Sequence, residues 1–377
     1  MDFTKISEAL FEELLALHKE LCLIPAPSGF EDARAAYVLN YLKKAGIVNA
    51  HIDEAKNVVC TIGKPSDKMI LFMAHTDTVF PMETPLNYTD DGTILRCPGV
   101  GDDTGSLATM LTSMKYIVQN NIVPNRTLMF VANACEEGLG NLKGCRQIFK
   151  DYSDKIEYMY TFDSKFSGIA NWSVGSHRYE ITAETEGGHS FGAFGNRNAI
   201  AVLAGIIQDI YSIEVPTVGN SKTTYNVGTI HGGTSVNTIA QSASMLCEYR
   251  SDDVDCLAIM QQKFAAIFEA AKVNCKNLKI DLVGERPCMS NNIDKAKQEE
   301  ITARAIAIQS KHAGCTVTPH SSSTDCNIPH SMGIPAVALA NYNGGGAHTM
   351  EEWVEKESFK PGIRITLELV LTEGGVL

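Results

Sequence analysis

The sequence has no apolar run as long as a membrane span and no signal-peptide pattern. Its first residues, Met1–Glu8, do not form a basic region followed by an apolar one. These two absences argue against a membrane-spanning chain and favour a cytoplasmic protein, which we take as an expectation.

Cysteine pairs and positive charge are also scarce. The 11 cysteines are odd in number and include no Cys-x-x-Cys pair, which disfavours both a disulfide framework and a thiolate zinc site. A formal net charge of -12 disfavours nucleic acid and anionic membranes as partners. The chain has no internal repeat, and its 377 residues, 44% of them hydrophobic, are enough for about two globular domains.

Two adjacent carboxylates follow a strand that has the composition of a buried one. The predicted strand Leu128–Asn133 has the apolar character of a strand covered on both faces, and Glu136 and Glu137 come shortly after it, before a glycine. In open α/β sheets, ligands bind beyond the carboxyl ends of the strands. There, one acid of such a pair can hold a metal ion while the other moves a proton.

Other predicted strands end in polar residues in the same way. The strand Met69–Ala74 runs into His75 and Asp77, and the strand Tyr158–Phe162 runs into Asp163. A lone histidine after a strand is more often structural than a ligand, but a carboxylate two residues later lies on the same side of an extended chain. The pair therefore favours a ligand and its supporting acid.

Acids also precede a predicted helix, and a histidine follows a glycine run. Asp102 and Asp103 stand before a helix that contains Leu107, and His348 follows Gly344–Gly346. Carboxylates at a helix N-terminus have an ordinary structural explanation, because they interact favourably with the helix dipole. If the sheet forms, however, these residues and the strand-end residues converge. Mixed imidazole and carboxylate ligands suit zinc, cobalt or manganese, and a carboxylate shared by two such ions makes a site that activates water.

Strands and helices alternate up to Asp163, which is typical of an α/β protein with a covered, mostly parallel sheet. After Ser173 the order becomes β-α-β-β-α-β, the pattern of a split βαβ, ferredoxin-like α+β domain. The α/β pattern resumes at Asp294. We expect a catalytic, metal-binding domain made of residues 1–172 and 288–377, with residues 173–287 inserted as a lid and dimerisation domain.

The ordered motifs of the chain resemble the cocatalytic dinuclear zinc peptidases and amidohydrolases. This family includes peptidase T, aminoacylase, acetylornithine deacetylase and succinyl-diaminopimelate desuccinylase. The motifs are Ala74–Thr78, Gly101–Gly105, Cys135–Gly138, Phe162–Asp163, Gly187–His189, Gly232–Asn237 and Ala347–Thr349. Each motif alone is a weak signal, but their order along nearly the whole chain is specific.

The resemblance implies two divalent ions, zinc with cobalt or manganese as alternatives. The ligands that it implies are His75 and Asp163 for one ion, Glu137 and His348 for the other, and Asp102 as the bridge. Asp77 would hydrogen-bond His75, Glu136 would be the general base, and the peptide after the bridging acid would be cis.

Three further residues come from the resemblance alone. His189 would polarise the scissile carbonyl, Asn237 would line the same site, and Arg250 would bind a substrate carboxylate. The ordinary alternatives are a turn residue for His189 and a surface ion pair for Arg250. Relatives commonly dimerise through the inserted domain, so we expect a homodimer in which His189, with Asn237 as a further candidate, acts on the partner's site.

These observations predict a metal-dependent exopeptidase, an aminopeptidase similar to peptidase T, that cleaves short peptides with Glu136 as general base. An N-acyl-amino-acid deacylase or desuccinylase is the alternative. A free α-amine needs an anionic partner and an acyl group needs an apolar pocket, and the sequence locates neither. A binding module without catalysis is disfavoured, because decay is expected to strike the base or the bridging acid first.

Overall fold

A computed structural model describes every residue of the chain, Met1–Leu377. The chain forms two units, unit 1 (Met1–Ser173 and Asn292–Leu377) and unit 2 (Val174–Asn291). The helices are α1 (Phe3–Cys22), α2 (Asp32–Lys44), α3 (Thr104–Gln119), α4 (Lys143–Tyr152), α5 (Ala199–Tyr211), α6 (Val254–Ala271), α7 (Lys295–Ala313), α8 (Asn327–Ser331) and α9 (Phe359–Glu373).

The strands range from two to ten residues in length. They are β1 (His51–Ile52), β2 (Val58–Ile62), β3 (Met69–His75), β4 (Thr89–Asp90), β5 (Ile94–Arg96), β6 (Leu128–Asn133), β7 (Ile156–Thr161), β8 (Gly168–Ser173), β9 (Gly175–Glu184), β10 (Gly188–His189), β11 (Thr223–Gly232), β12 (Thr238–Ile239), β13 (Ser242–Ser251), β14 (Asn277–Arg286), β15 (Thr318–Ser322), β16 (Ala336–Ala338), β17 (Gly344–Gly345) and β18 (Trp353–Glu355).

Unit 1 is built on an eight-stranded sheet in the order β1-β2-β6-β3-β7-β16-β8-β15. Its central strands β6, β3, β7 and β16 are parallel, whereas β2 runs antiparallel to β6. Alternate residues of β3 enter different apolar clusters. Ile70 and Phe72 pack with residues of α1, α3 and α9, and Leu71 and Met73 pack with residues of α4. This double cover explains the continuous apolar runs and confirms the expected α/β class.

Unit 1 also contains strands that the sequence analysis does not predict. The clearest is β15, which pairs with β8 at the edge of the sheet and is exposed at four of its five positions. Its polar residues and Pro319 lack the apolar alternation that predicts a strand. An edge strand needs no apolar face and tolerates proline.

Unit 2 is an antiparallel sheet in the order β11-β13-β9-β14, with α5 and α6 contributing to its apolar core. The chain order β9-α5-β11-β13-α6-β14 matches the expected split βαβ pattern, with the short pair β10 and β12 added.

Two smaller sequence observations also have a structural counterpart. None of the helices combines the length and the apolar character that crossing a bilayer requires. All cysteines are unpaired, and only Cys315 is partly exposed, so the thiols act as small packing groups.

Candidate active site

Unit 1 brings together seven residues that the sequence places at strand and loop ends. His75 ends β3 with Asp77 just beyond, Glu136 and Glu137 follow β6, Asp163 follows β7, Asp102 precedes α3, and His348 follows β17. Since β6, β3 and β7 are parallel neighbours, their carboxyl ends meet at one edge of the sheet.

Two groups of donor atoms in this cluster share a single residue. His75, Asp102 and Asp163 offer donor atoms within 4.8 Å of one another, and so do Asp102, Glu137 and His348. His75 Nε2 lies 3.0 Å from Asp102 Oδ1, whereas His348 Nε2 lies 3.2 Å from Asp102 Oδ2 and 2.9 Å from Glu137 Oε1. The two oxygens of one carboxylate therefore face two different histidines.

The donor set fits two divalent cations. Each triad combines one imidazole nitrogen with carboxylate oxygens, a mixture that zinc, cobalt and manganese accept. A carboxylate common to both triads is the ligand that two neighbouring ions can share. Glu136 belongs to neither of these triads, although it lies within 4.8 Å of His75 and Glu137 in a third group of donors. The Asp102–Asp103 peptide bond is cis, as the resemblance implies.

The electrostatics of the cluster indicate an excess of negative charge. Burial and the nearby Asp102 charge raise the pKa of Asp163 to about 7. Burial opposes ionisation of Asp102, but its hydrogen bonds with His348 and His75 outweigh this and hold its pKa below the usual range. Hydrogen bonds to Asp102 and Glu137 raise the pKa of His348 to about 10. Protons thus balance part of the acidic charge, and bound cations would balance it instead.

The Asp77 carboxylate anchors the two glutamates through their main chain. Its Oδ1 accepts the N–H of Glu136 at 2.9 Å, and its Oδ2 accepts the N–H of Glu137 at 3.0 Å and the Ser28 hydroxyl at 2.5 Å. Burial would raise the pKa of Asp77, but hydrogen bonds from His75 and Ser28 prevail and lower it. The residue is fully buried, so its lone pairs are directed at protein donors.

Asp77 orients the His75 ring mainly through its backbone. His75 Nδ1 lies 3.0 Å from the carbonyl oxygen of Asp77 and 3.5 Å from its Oδ1. A neutral ring that donates from Nδ1 leaves Nε2 as an acceptor, which is the form in which imidazole binds a metal ion. The carboxylate contact that the resemblance implies is therefore the longer of the two.

The structure adds residues that sequence reasoning missed. Asp103 lies at the N-cap position of α3, but its side chain accepts no N–H of that helix; its Oδ2 accepts the N–H of His75 at 2.9 Å. Ser28 binds Asp77 as described, and the buried Glu352 accepts the N–H of Asp102 at 2.8 Å. Asp103 and Glu352 stand close in sequence to predicted ligands, which is a weak signal. Nothing in the sequence shows which backbone N–H groups point at them.

Arg34 of α2 hydrogen-bonds the loop that follows β3 and the end of α1. Its guanidinium donates to the carbonyl of Thr76 at 2.8 Å, and to the carbonyls of Leu21 at 3.0 Å and Ile24 at 2.7 Å. Arg34 is buried, and Thr76 lies between His75 and Asp77. The first two helices are therefore linked to the loop that carries the first predicted ligand.

The three remaining candidates lie in unit 2, so no distance links them to the donor triads. His189 is exposed, and its Nδ1 accepts the N–H groups of Phe191 and Gly192, both at 3.3 Å. The Asn237 side-chain oxygen accepts the Ser235 hydroxyl at 2.8 Å. His189 pairs with the residue after Asn237, because β10 and β12 are antiparallel partners.

Arg250 lies on β13 and forms an ion pair with a neighbouring acid. Its Nε and Nη2 donate to the Glu248 carboxylate at 2.8 and 3.1 Å, and its side chain is 36% exposed. Arg250 therefore forms an ion pair in the free protein, as the ordinary structural explanation of this residue expects. The pair occupies one edge of the guanidinium and involves no Nη1 contact.

Comparison with known proteins decides the family. Residues 71–372 match the model of Peptidase family M20/M25/M40. The chain belongs to this peptidase family. The matched range includes the strand-end candidates, the inserted unit and His348, and the match confirms the resemblance to the family. The M20 chain is thereby a metal-dependent hydrolase of peptide or amide bonds.

Individual relatives of this M20 chain are distant. The chain is 25% identical over 296 residues to the uncharacterised protein YqjE of Bacillus subtilis, with 76% of each chain covered. Its fold is similar to a Staphylococcus aureus tripeptidase, with a TM-score of 0.76, 20% identity and coverage of 97% and 98%. A Bacillus subtilis dinuclear metal-binding peptidase of the M20 family gives a TM-score of 0.66, 14% identity and coverage of 98% and 100%. These structural likenesses establish the fold.

The anchor role of Asp77 predicts a defect in metal binding. In Asp77→Asn, an NH2 group replaces one acceptor oxygen and cannot accept the N–H of a glutamate. We expect affinity for divalent metal to fall by about 10–100-fold, the usual effect of removing a residue that orients metal ligands. Titration of metal-free protein with Co²⁺ measures the change.

Asp91→Asn provides the control for this prediction. Asp91 also accepts backbone N–H groups, from Thr93 and Ile94 at 2.9 and 2.7 Å, but in the turn between β4 and β5. The Asp91→Asn protein should bind Co²⁺ with wild-type affinity. An Asp77→Asn protein that binds as tightly as the wild type would contradict the anchor role.

Proposed function

We propose that this protein is an exopeptidase for short peptides, similar to peptidase T, that works with two divalent metal ions, zinc or else cobalt or manganese. The observation that carries the proposal is the pair of donor triads that share only Asp102. In this proposal His75 and Asp163 hold one ion, Glu137 and His348 hold the other, and Asp102 bridges both. When bound, such ions acidify water and polarise a carbonyl group.

Glu136 is the proposed general base. It is buried at the end of β6, outside both of the metal triads, and its main chain is fixed by Asp77. A carboxylate in this place can accept a proton from the attacking water and return it to the nitrogen of the leaving amine, so the proton count balances over the reaction. Its neighbour Glu137 contacts His348 and is the ligand of the pair.

His189 and Asn237 are proposed to stabilise the oxyanion of the tetrahedral intermediate. Because His189 Nδ1 accepts two backbone N–H groups, a neutral ring carries its proton on Nε2 and can donate it. Asn237 has its side-chain oxygen oriented by Ser235, which leaves its NH2 group as the outward donor. His189 ends β10 and Asn237 directly precedes its partner strand β12, so this pair can supply the two donors of an oxyanion site.

Arg250 is the proposed partner of the substrate carboxylate. Glu248 holds its Nε and Nη2 and so orients the guanidinium, while the remaining Nη1 edge can bind a second carboxylate. A free carboxylate close to the scissile bond is a feature of short peptides. The similarity of the fold to a tripeptidase is in keeping with such a substrate.

The substrate proposal predicts a clear order of activities. With Zn²⁺ or Co²⁺ bound, the protein should hydrolyse di- and tripeptides with a free α-amine faster than N-acetyl or N-succinyl amino acids. Exhaustive chelation should abolish the activity, and added Zn²⁺ or Co²⁺ should restore it. Arg250→Ala should raise KM for free-acid tripeptides and change little for amidated ones.

Three outcomes would revise this proposal. Faster hydrolysis of the acylated amino acids would identify a deacylase or desuccinylase instead of a peptidase. Full activity without detectable metal would remove the metal centre. Equal losses of Arg250→Ala on free-acid and amidated substrates would show that Arg250 does not bind the carboxylate.

The two adjacent glutamates should respond differently to the same isosteric change. Glu136→Gln should retain both ions and lose about 10²–10⁴-fold in kcat, because only proton transfer is removed. Glu137→Gln should lose one ion, because an amide is a poorer ligand than a carboxylate. Elemental analysis after dialysis, together with kcat, separates the two effects, and the reverse pattern would mean that base and ligand are exchanged.

We also propose that the protein is a homodimer formed through strand β11. This strand is an edge of the unit 2 sheet, has ten residues with no charged side chain, and exposes 44% of Ile230. The opposite edge, β14, carries charged residues such as Lys279 and Asp281, which discourage pairing. A two-fold axis beside β11 would therefore extend the sheet across two copies.

Thr229→Lys tests this assembly. A lysine on the exposed centre of β11 should convert a dimer to a monomer in sedimentation velocity, because strand pairing would bury the charge. The matched control, Leu282→Lys, introduces the same charge at an exposed position of β14 and should stay dimeric. A monomeric wild type, or a dimeric Thr229→Lys protein, would contradict pairing through β11.

The dimer also offers a test of how His189 acts. Glu136→Ala and His189→Ala dimers should each be nearly inactive, yet exchange of their subunits should restore activity in mixed dimers. In such a mixture one site has an intact Glu136 and a partner copy with an intact His189. If subunits exchange and no activity returns, His189 does not act on the partner's site.

A further inference from the structure

The carboxylate of Glu352 is surrounded by backbone N–H groups of the loop before α3. Its Oε2 accepts the N–H of Gly99 at 2.8 Å, and its Oε1 accepts the N–H groups of Gly101 at 2.9 Å and Asp102 at 2.8 Å. Glu352 is only 2% exposed. One buried carboxylate therefore accepts three backbone N–H groups of a single loop, and the last of them belongs to the acid shared by both triads.

The loop approaches Glu352 closely because residue 101 is a glycine. A Cβ atom at Gly101 would lie 3.1 Å from Glu352 Oε1 and 3.0 Å from both Cε2 and the hydroxyl oxygen of Tyr342. A side chain at this position would therefore crowd the carboxylate and the tyrosine. The close packing indicates that the contact is built into both segments.

Glu352 also belongs to the segment that carries His348. Its own N–H donates to the carbonyl of Thr349 at 3.3 Å, and β17 and β18 pair on either side of this short loop. The His348 side chain is 54% exposed, and its contacts with Asp102 and Glu137 are both made by the single atom Nε2. Glu352 is thus the buried attachment at the base of an exposed ligand loop.

We propose that Glu352 is a positioning residue for the metal centre, which connects the Asp102 loop to the His348 loop and so assembles the triad of Asp102, Glu137 and His348. This inference rests on the metal centre of the proposed function. Loops that are 250 residues apart in sequence contribute to this triad, and the Glu352 hydrogen bonds join them directly. Without these hydrogen bonds, His75 and Asp163 are still positioned by strands β3 and β7. The loop that carries His348 loses its attachment to the Asp102 loop.

Glu352→Gln tests the proposal with little change in shape. The amide NH2 group faces N–H donors, so at least one hydrogen bond is lost together with the charge. Metal-free protein is titrated with Co²⁺, and the visible absorption of the bound ion reports each binding event. We expect the Kd of one of the two ions to rise by about 10–100-fold, with a smaller change for the other. Glu352→Asp retains the carboxylate on a shorter side chain. Its Kd for that ion should lie between the values for Glu352→Gln and the wild type.

Two control variants separate positioning from general stability. Glu351→Gln removes an exposed carboxylate one residue away and should bind both ions as the wild type does. Glu373→Gln alters another buried carboxylate of unit 1, which accepts the hydroxyls of Tyr158 and Tyr160, both at 2.7 Å. It should lower the melting temperature of the metal-free protein without changing either Kd.

Distinct outcomes overturn the inference or its basis. Two unchanged Kd values in Glu352→Gln, with two ions bound by the wild type, would overturn the positioning role and leave the proposed function intact. An equal loss in Glu373→Gln would also overturn it, because the effect would then follow from stability. If Glu352→Gln does not fold, wild-type Kd values in Glu352→Asp and in Gly101→Ala, which displaces the loop, would overturn it. A wild type that binds fewer than two ions would overturn the metal centre and this inference together.

Discussion

The cluster in unit 1 depends on buried carboxylates that accept backbone N–H groups. Asp77 holds the main chain of Glu136 and Glu137, and Asp103 holds the main chain of His75. A hydrogen bond to a charged group such as the Asp77 carboxylate contributes about 1.5–3 kcal/mol, and an unsatisfied buried partner costs a comparable amount. Because these acceptors bind main-chain groups, they fix the backbone from which the side chains of the cluster project, and those side chains stay available for other contacts.

The acids of the cluster fall into two classes that their environment separates. Asp77 is directed at N–H and O–H donors of the protein, whereas Asp102, Glu137 and Asp163 face histidines and one another. Burial and the neighbouring charge of Asp102 raise the pKa of Asp163 to about 7. The donor group of His75, Asp102 and Asp163 therefore has too little positive charge to balance its carboxylates. The acids in this small volume therefore divide into supports of the backbone and candidate metal ligands.

The fold and the convergence of the candidate residues could largely be predicted from the sequence, because strand ends are a local signal. The central strands β3 and β6 are continuous apolar runs, and a polar residue at the end of such a strand must lie at the edge of the sheet. Apart from Asp77, the supporting residues could not be predicted in this way. Ser28 and Asp77 are 49 residues apart, and Glu352 reaches a loop 250 residues away. For Asp103 the local explanation, a favourable interaction with the dipole of α3, is incomplete, because its carboxylate also accepts the N–H of His75. The sequence does not predict β15, because this polar edge strand has no alternation of apolar and polar residues.

The division of the chain has a consequence for its synthesis. Unit 2 is one continuous segment, Val174–Asn291, whereas unit 1 is closed by the part of the chain from Asn292 onward, including α9, whose residues share an apolar cluster with those of α1. Domains fold as units while the chain emerges from the ribosome, so unit 2 has all its residues before unit 1 does. The donor triad that contains His348 is then completed last, when nearly the whole chain has been made. Until that moment Asp102 and Glu137 have no imidazole partner from the final segment, and the triad is incomplete in a nascent chain.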